Sequence, residues 1–229
     1  MEGYYAEKLA AQRLQKCYEI APPRTRQYLR AEMDFVLSRI KPGDIVLDLG
    51  CGYGRTLPQL AAKAGFVVGI DNSPSSLDLA ECLSKDIANA AVKEMDAANL
   101  RFADDVFDAV VCIQNGISAF QADQKTLFAE ALRVCRPGGT VFFSTYAEKF
   151  WPHRLEWFRL QAAAGLLGEI EEKKTGAGVI VCRDGFTAGT IDAEDFRRLA
   201  AGLPAAVTLT EIDGSSLFCI LNKIKDTSK

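Results

Sequence analysis

The sequence predicts an α/β fold built on a mostly parallel sheet, and three observations predict it. Residues 44–55, Asp44-Ile45-Val46-Leu47-Asp48-Leu49-Gly50-Cys51-Gly52-Tyr53-Gly54-Arg55, run from an apolar stretch straight into alternating glycines. Further short apolar runs end in polar or acidic residues at Asp71, Asp96 and Asn115. Between these runs the apolar spacing changes to threes and fours, the repeat of a helix. Strands alternating with helices imply parallel pairing through right-handed crossovers, so the carboxyl ends of the strands share one rim. Asp48, Asp71, Asp96 and Asn115, far apart in sequence, are therefore expected around one crevice.

The elements follow in order. Residues 4–18 read as a helix that Pro22-Pro23 breaks, and a second helix carries Leu29, Met33, Val36, Leu37 and Ile40. Lys41-Pro42-Gly43-Asp44 ends it before the first strand. Ile45 to Leu49 is apolar at four of five positions, as a strand buried on both faces requires. The glycines permit a sharp turn and a close approach of backbone to a ligand, and Leu57, Leu60, Ala61 and Ala64 then follow a helical repeat that Gly65 stops. Residues 66–71 form a second buried strand, and Ser73-Pro74 supplies an N-cap and a first-turn proline for the next helix. Residues 91–95 and 107–113 read as the third and fourth strands, residues 124–135 as a helix, and residues 140–145, after Arg136-Pro137-Gly138-Gly139, as the fifth strand.

Beyond Ala147 the pattern loosens. An aromatic-rich helix runs from about residue 150 to 167, residues 169–174 form a charged turn, and residues 179–182 and 185–191 read as short strands. Asp192 caps a helix holding Phe196, Leu199 and Ala200, and residues 207–212 and 217–224 make a closing hairpin around Asp213-Gly214-Ser215-Ser216.

Composition narrows the class. The 229 residues are 48% hydrophobic and 25% charged, ordinary for a globular chain large enough to bury a full core. A net charge of -3 argues against general affinity for nucleic acid or anionic membrane. The first 18 residues alternate charge with apolar side chains and lack the apolar stretch of a signal peptide or membrane span, so a cytoplasmic location is expected. The seven cysteines contain no C-x-x-C pair and are expected to be reduced. No metal-ligand cluster is evident, and the sequence leaves the oligomeric state open.

Strand, glycine loop and helix place a ligand at the strand's carboxyl end. A dinucleotide fold would also put glycines here and an acid near Asp71. The spacing, however, is G-x-G-x-G with Arg55 close to where a third dinucleotide glycine belongs. The run Val46-Leu47-Asp48-Leu49-Gly50-Cys51-Gly52-Tyr53-Gly54 resembles the first motif of the class I S-adenosylmethionine-dependent methyltransferases, and the Arg-Pro-Gly-Gly turn with its following strand resembles a later region of the same family. The resemblance covers roughly residues 44–145. It implies a three-layer Rossmann-like sandwich with a seven-stranded mostly parallel sheet whose last strand is antiparallel. It further implies an N-terminal helical cap (residues 1–41) over the methyltransferase domain (residues 42–229), with residues 146–191 as a substrate-side insertion.

The resemblance implies S-adenosylmethionine as cofactor, S-adenosylhomocysteine as product, and a small-molecule acceptor methylated by in-line displacement. Asp71 is expected at the ribose diol with Asn72 beside it, and Asp96 with the Ala97 backbone at the adenine. Asp48, Gly50, Cys51, Gly52, Tyr53, Gly54, Ile113 and Gln114 are expected around the methionine end. Asn115, directly after the fourth strand, is a candidate catalytic residue or a loop-stabilising amide. His153, the single histidine, is a candidate general base because imidazole titrates near neutrality. Tyr5, Tyr18 and Tyr146 are candidate substrate contacts, or packing residues of amphipathic elements. Gln114-Asn115-Gly116-Ile117 departs from the Asn/Asp-Pro-Pro-Tyr/Phe signature of nucleic-acid and glutamine methyltransferases. A nicotinamide-dependent oxidoreductase and a non-catalytic cofactor-binding protein remain the competing readings.

Overall fold

The computed structural model describes residue 4 and residues 8–120 and 122–225. Tyr5 lies outside them. Two helices lead, α1 (Ala11–Glu19) and α2 (Pro23–Leu37). There follow β1 (Ile45–Leu49), α3 (Leu57–Ala61), β2 (Phe66–Asp71), α4 (Pro74–Ser84), β3 (Ala90–Glu94) and β4 (Phe107–Cys112). Next come α5 (Gly116–Ala119), α6 (Gln124–Val134), β5 (Cys135–Tyr146), a 3₁₀ turn (Glu148–Phe150) and α7 (Trp151–Ala163). A two-residue hairpin, β6 (Ile180–Val181) and β7 (Thr187–Ala188), precedes α8 (Ala193–Ala200), β8 (Ala205–Ile212) and β9 (Ser216–Lys223).

The main sheet has seven strands in the order β3-β2-β1-β4-β5-β9-β8. Pairing is parallel from β3 through β5, whereas β9 lies antiparallel between β5 and β8. Six strands thus share a direction and the last strand of the chain opposes them. The Rossmann-like arrangement and its reversed final strand are as the sequence predicts.

Alternation along the strands sorts side chains onto two faces. Leu47, Ile70, Val110 and Phe143 pack with Phe128 and Leu132 of α6 and Phe196 of α8. The Phe128 and Phe143 rings stack at a centroid distance of 4.2 Å. Val46, Val67, Val111 and Phe142 pack on the other face with Leu57 and Leu60 of α3, Leu77 of α4, Met33 and Val36 of α2, and Ile40 just after it. Caps fix several helix starts: Ser73 and Asp123 accept from backbone N–H groups of their first turns, and Asp192 and Asp195 form a reciprocal capping box.

Some boundaries differ from those the sequence predicts. The helical pattern expected over residues 4–18 is broken before α1: Tyr4 is helical, but Ala10 is extended, Ala11 has φ +49°, and the Ala11 N–H is drawn to the Ser76 hydroxyl 3.0 Å away. Tertiary contact overrides a continuous helical pattern there. The Arg136-Pro137-Gly138-Gly139 turn is a bulge inside β5: Cys135 pairs with Phe107 and Thr140 with Ala109. Arg136 forms an ion pair with Asp108, whose other oxygen accepts from the Ile45 N–H at 2.7 Å.

Candidate functional site

At the carboxyl rim, β1 passes through Gly50 and Gly52, both at positive φ, and turns into α3. A Cβ at Gly50 would stand 3.0 Å from the Phe120 ring, and one at Gly52 would stand 3.1 Å from Leu14. The loop is anchored by N–H groups of Gly50 and Cys51 donating to the Ile70 carbonyl, both at 2.9 Å. Cys51 fills the space left by Gly69 of β2, where a Cβ would lie 2.9 Å from its sulfur. Burial pushes that thiol well above its ordinary range, so it packs as a small apolar residue.

A cavity of about 640 Å³ opens beside this loop. Gly50, Gly52, Asp71, Asn72, Asp96, Ile113, Gln114, Asn115, Tyr18 and Tyr146, gathered from five strand ends and α1, all line it. A recess of about 50 Å³ continues behind the loop, lined by Asp48, Cys51, Tyr53, Arg55 and Thr56. Gly54, Ala97 and His153 line neither space.

Asp71 closes β2 with both oxygens engaged: one accepts from the Gly52 N–H and the other from the Ser73 N–H, each at 2.9 Å. The carboxylate is thereby aimed and keeps acceptor capacity on each oxygen. Burial raises its pKa, while the N–H groups of Ser73 and Gly52 favour the charged form. Asp48 lies deeper, beside Gly69 of β2, and points into the α3 layer, where the Thr56 hydroxyl donates to it at 2.5 Å. Burial lifts it to about 6 despite Thr56 and Arg55.

Gln114 and Asn115 both occupy the left-handed region, at φ +58° and +61°. Two such non-glycine residues in succession store on the order of 1–3 kcal/mol each. The surroundings hold them there. The Gln114 N–H donates to the Ser144 hydroxyl at 2.9 Å and its side-chain oxygen accepts from the Tyr18 hydroxyl at 2.8 Å. Asn115 accepts from Thr145 at 2.8 Å and donates to the Gly189 carbonyl at 2.9 Å, so its amide joins β5 to the segment after β7.

One wall is aromatic. On α7, Arg154, Trp157, Phe158 and Gln161 form the buried stripe at helical spacing, and the last three line the cavity. His153 falls off that stripe, half-buried, with its ring 5.6 Å from Phe150 and an imidazole nitrogen 3.9 Å from Glu156. The structure therefore does not bring it to the cavity. The Trp157 indole donates to the Cys17 carbonyl of α1 at 2.8 Å, and Arg13 of α1 donates to the carbonyls of Gly165 and Leu166, both at 2.9 Å.

Sequence reasoning passed over Arg55, Glu32 and the Trp157, Phe158 and Gln161 group. Arg55 was visible only as a departure from a glycine pattern. Among the described residues its Nη2 is buried without a hydrogen-bond partner, as is the Gln114 amide nitrogen. Two unmet donors beside a recess fit an anionic, acceptor-rich ligand.

The buried acids make stability depend on pH. Glu32, like Asp48, is raised by burial, to about 7. Both bind protons more readily in the folded chain than in the unfolded one, so their contribution is complete below pH 4 and is lost as pH rises through about 6 and 7. Asp48→Asn should flatten that fall. In urea titrations the variant should gain on the order of 1–3 kcal/mol relative to wild type between pH 4 and pH 8. Parallel pH curves would contradict the assignment.

Comparison with known proteins agrees with this geometry. Residues 46–139 match the family described as a methyltransferase domain. The 2-methyl-6-phytyl-1,4-hydroquinone methyltransferase of Synechocystis sp. is 32% identical over 137 residues, which is 56% of this chain and 42% of that protein. The ubiquinone biosynthesis O-methyltransferase of Hahella chejuensis is 32% identical over 120 residues, 49% of this chain and 48% of that protein. The chain thus spans less than half the length of these curated relatives. A SAM-dependent methyltransferase from Methanosarcina mazei superposes with a TM-score of 0.62 at 20% identity, covering 84% of this chain and 98% of the other.

Proposed function

Starting from membership of the class I S-adenosylmethionine-dependent methyltransferases, we propose that this chain methylates a small, flat, hydroxyl-bearing acceptor held against the aromatic wall of its cavity. The observation that carries the reading is the Asp71 carboxylate, oriented by two backbone N–H groups at the edge of a cavity shared with the glycine loop and Asp96. The residues fit the cofactor. A volume of about 640 Å³ lies within the usual range for sites that enclose small molecules, and the glycines leave a cradle that side chains would fill.

The bound sulfonium supplies an activated methyl group. The protein's task is then chiefly to hold an electron-rich atom in line behind it, and positioning can contribute on the order of 7–11 kcal/mol. Asp71 accepts from the ribose hydroxyls, with Asn72 alongside. Asp96 serves the adenine, while Ala97 packs into the core behind it. The loop from Gly50 to Gly54 admits the methionine moiety, whose carboxylate meets the unpaired Nη2 of Arg55. Asp48 supports the loop from behind through Thr56. Ile113 and Gln114 form the floor, and Asn115 positions the segment near Gly189 instead of acting on the acceptor. His153 has no part in this scheme.

We read residues 1–41 as a cap and residues 146–191 as a substrate-side insertion. Support comes from the cavity wall, where Leu14, Cys17 and Tyr18 of α1 adjoin Tyr146, Trp157, Phe158 and Ala188. Helix α2, by contrast, packs Met33 and Val36 into the layer beside α3 and α4. A flat acceptor accords with the aromatic side chains and with the hydroquinone named for one relative. Among the described residues no helix is long and apolar enough to cross a membrane.

Calorimetry with S-adenosylhomocysteine and with NADPH tests the assignment. Saturable binding of the first and none of the second is expected. Tight binding of NADPH alone would replace this reading with the oxidoreductase one, to which the relatives and the structure named above lend no support.

A further inference from the structure

One polar side chain on the inward stripe of α7 has no role in the scheme above. Arg154 and Trp157 direct their N–H groups to carbonyls: Arg154 donates to Gly178 at 2.7 Å and to Ala188 at 2.9 Å, and Trp157 to Cys17 at 2.8 Å. Gln161, one helical turn beyond Trp157, is 3% exposed and lines the cavity. Among the described residues its side-chain amide has no hydrogen-bond partner. Burying an unpaired amide costs free energy that an apolar side chain of similar volume does not. A ligand in the cavity would supply the partner.

The position of Gln161 points to the acceptor rather than the cofactor. The Tyr18 ring packs between Tyr53 of the glycine loop, 5.9 Å away, and Trp157 of α7, 5.7 Å away. Gln161 therefore belongs with Trp157 and Phe158, the wall against which the flat acceptor is proposed to lie, and not with Asp71 and Asp96. Its backbone is held in place. The Gln161 carbonyl accepts from the Leu166 N–H at 3.0 Å, and Arg13 of α1 donates to the next two free carbonyls, those of Gly165 and Leu166. The amide is thus presented from a fixed helix end.

Charge limits what that amide can meet. Among the described residues lining the cavity, Asp71 and Asp96 are the only carboxylates, and there is no Lys, Arg or His. A carboxylate or phosphate on the acceptor would share the space with two acids and find no cation. The amide itself offers one oxygen that accepts and two N–H groups that donate, which matches a neutral hydroxyl, a group that does both.

We propose that Gln161 is a specificity-determining residue whose amide binds a neutral hydroxyl of the acceptor, distinct from the atom that takes the methyl group. The inference rests on the flat, hydroxyl-bearing acceptor proposed above and narrows it to one with a further hydroxyl and no anionic group. The ring lies on Trp157 and Phe158, and the hydroxyl meets Gln161 at the end of that wall.

Phenol, hydroquinone and 4-hydroxybenzoate, kept under nitrogen, test this because they differ at a single ring position, which carries hydrogen, hydroxyl or carboxylate. Calorimetry on the full chain saturated with S-adenosylhomocysteine reads their binding, and turnover with S-adenosylmethionine reads kcat/KM. Wild type should favour hydroquinone over phenol by at least about tenfold in both, and 4-hydroxybenzoate should do no better than phenol. Gln161→Leu, and Gln161→Met as a second apolar replacement, should bring the hydroquinone-to-phenol ratio to within about threefold of unity and bind S-adenosylhomocysteine within about threefold of wild type. A wild type without the preference overturns the inference, as does a variant that keeps it. So does a loss of S-adenosylhomocysteine affinity of about tenfold in variants that unfold as cooperatively as wild type in urea, which would place Gln161 at the cofactor. A binding preference that the variants abolish, with no probe methylated, supports the Gln161 contact and counts against the proposed acceptor class instead. Binding of none of the three overturns both.

Discussion

Asp71→Ala will weaken binding of S-adenosylhomocysteine by at least about tenfold, or 1.4 kcal/mol, as read by calorimetry. The carboxylate is fixed by the N–H groups of Gly52 and Ser73, so its remaining lone pairs are presented without a further cost of ordering. Each hydrogen bond to a charged acceptor is worth about 1.5–3 kcal/mol, and a diol offers two. The lower bound allows for water replacing the lost carboxylate. The substitution also frees the Gly52 N–H and loosens the glycine loop, which adds to the loss. Asp71→Asn should fall between the two, because its amide retains one acceptor oxygen. An unchanged affinity in a folded Asp71→Ala protein would remove the ribose from this position.

Trp157→Ala should destabilise the fold by about 3–5 kcal/mol, the range for deleting a large buried aromatic side chain. Trp157 is 5% exposed, packs edge-on to Tyr18 at 5.7 Å, and gives its indole N–H to the Cys17 carbonyl near the end of α1. Helix ends leave carbonyls without intrahelical partners, and this one is met by a residue 140 positions away. The variant should therefore release α1 from α7 as well as lose core. Urea unfolding should report the stability loss, and amide exchange should rise first in residues 11–19. Trp157→Phe should recover most of the packing and leave the Cys17 carbonyl unmet, separating the two contributions. A loss below about 1 kcal/mol for alanine would show that the wall collapses without consequence.

What could be read in advance follows from which signals are local. Ile45 to Leu49, the glycines after them and Asp71 are neighbours in sequence or end a short apolar run, and parallel topology does the rest. The crevice expected around Asp48 and Asp71 is more divided: Asp71, at the end of β2, lines the cavity, whereas Asp48, set deeper in β1, points to Thr56 behind the loop. Register puts both on one sheet face, Asp48 beside Gly69 and Asp71 two residues further along β2, so depth below the rim and not alternation separates them. The residues hardest to foresee owe their place to contacts across the chain. Helix α1 begins where Ser76 captures the Ala11 N–H, and β5 begins where Phe107 takes Cys135 as partner. His153 drew notice by its chemistry alone, yet Arg154, Trp157, Phe158 and Gln161 show which side of α7 faces inward. Glu32 left a clearer trace, an acid on the apolar stripe of Leu29, Met33 and Val36, and a charge there asks for a reason.

A crystal structure of the chain with S-adenosylhomocysteine bears on all of this most directly. The account predicts the ribose hydroxyls within about 3 Å of the Asp71 carboxylate, the methionine carboxylate on Arg55 and the sulfur facing the aromatic wall. S-adenosylhomocysteine seated elsewhere, or lying in the cavity with its ribose turned away from Asp71, would contradict it.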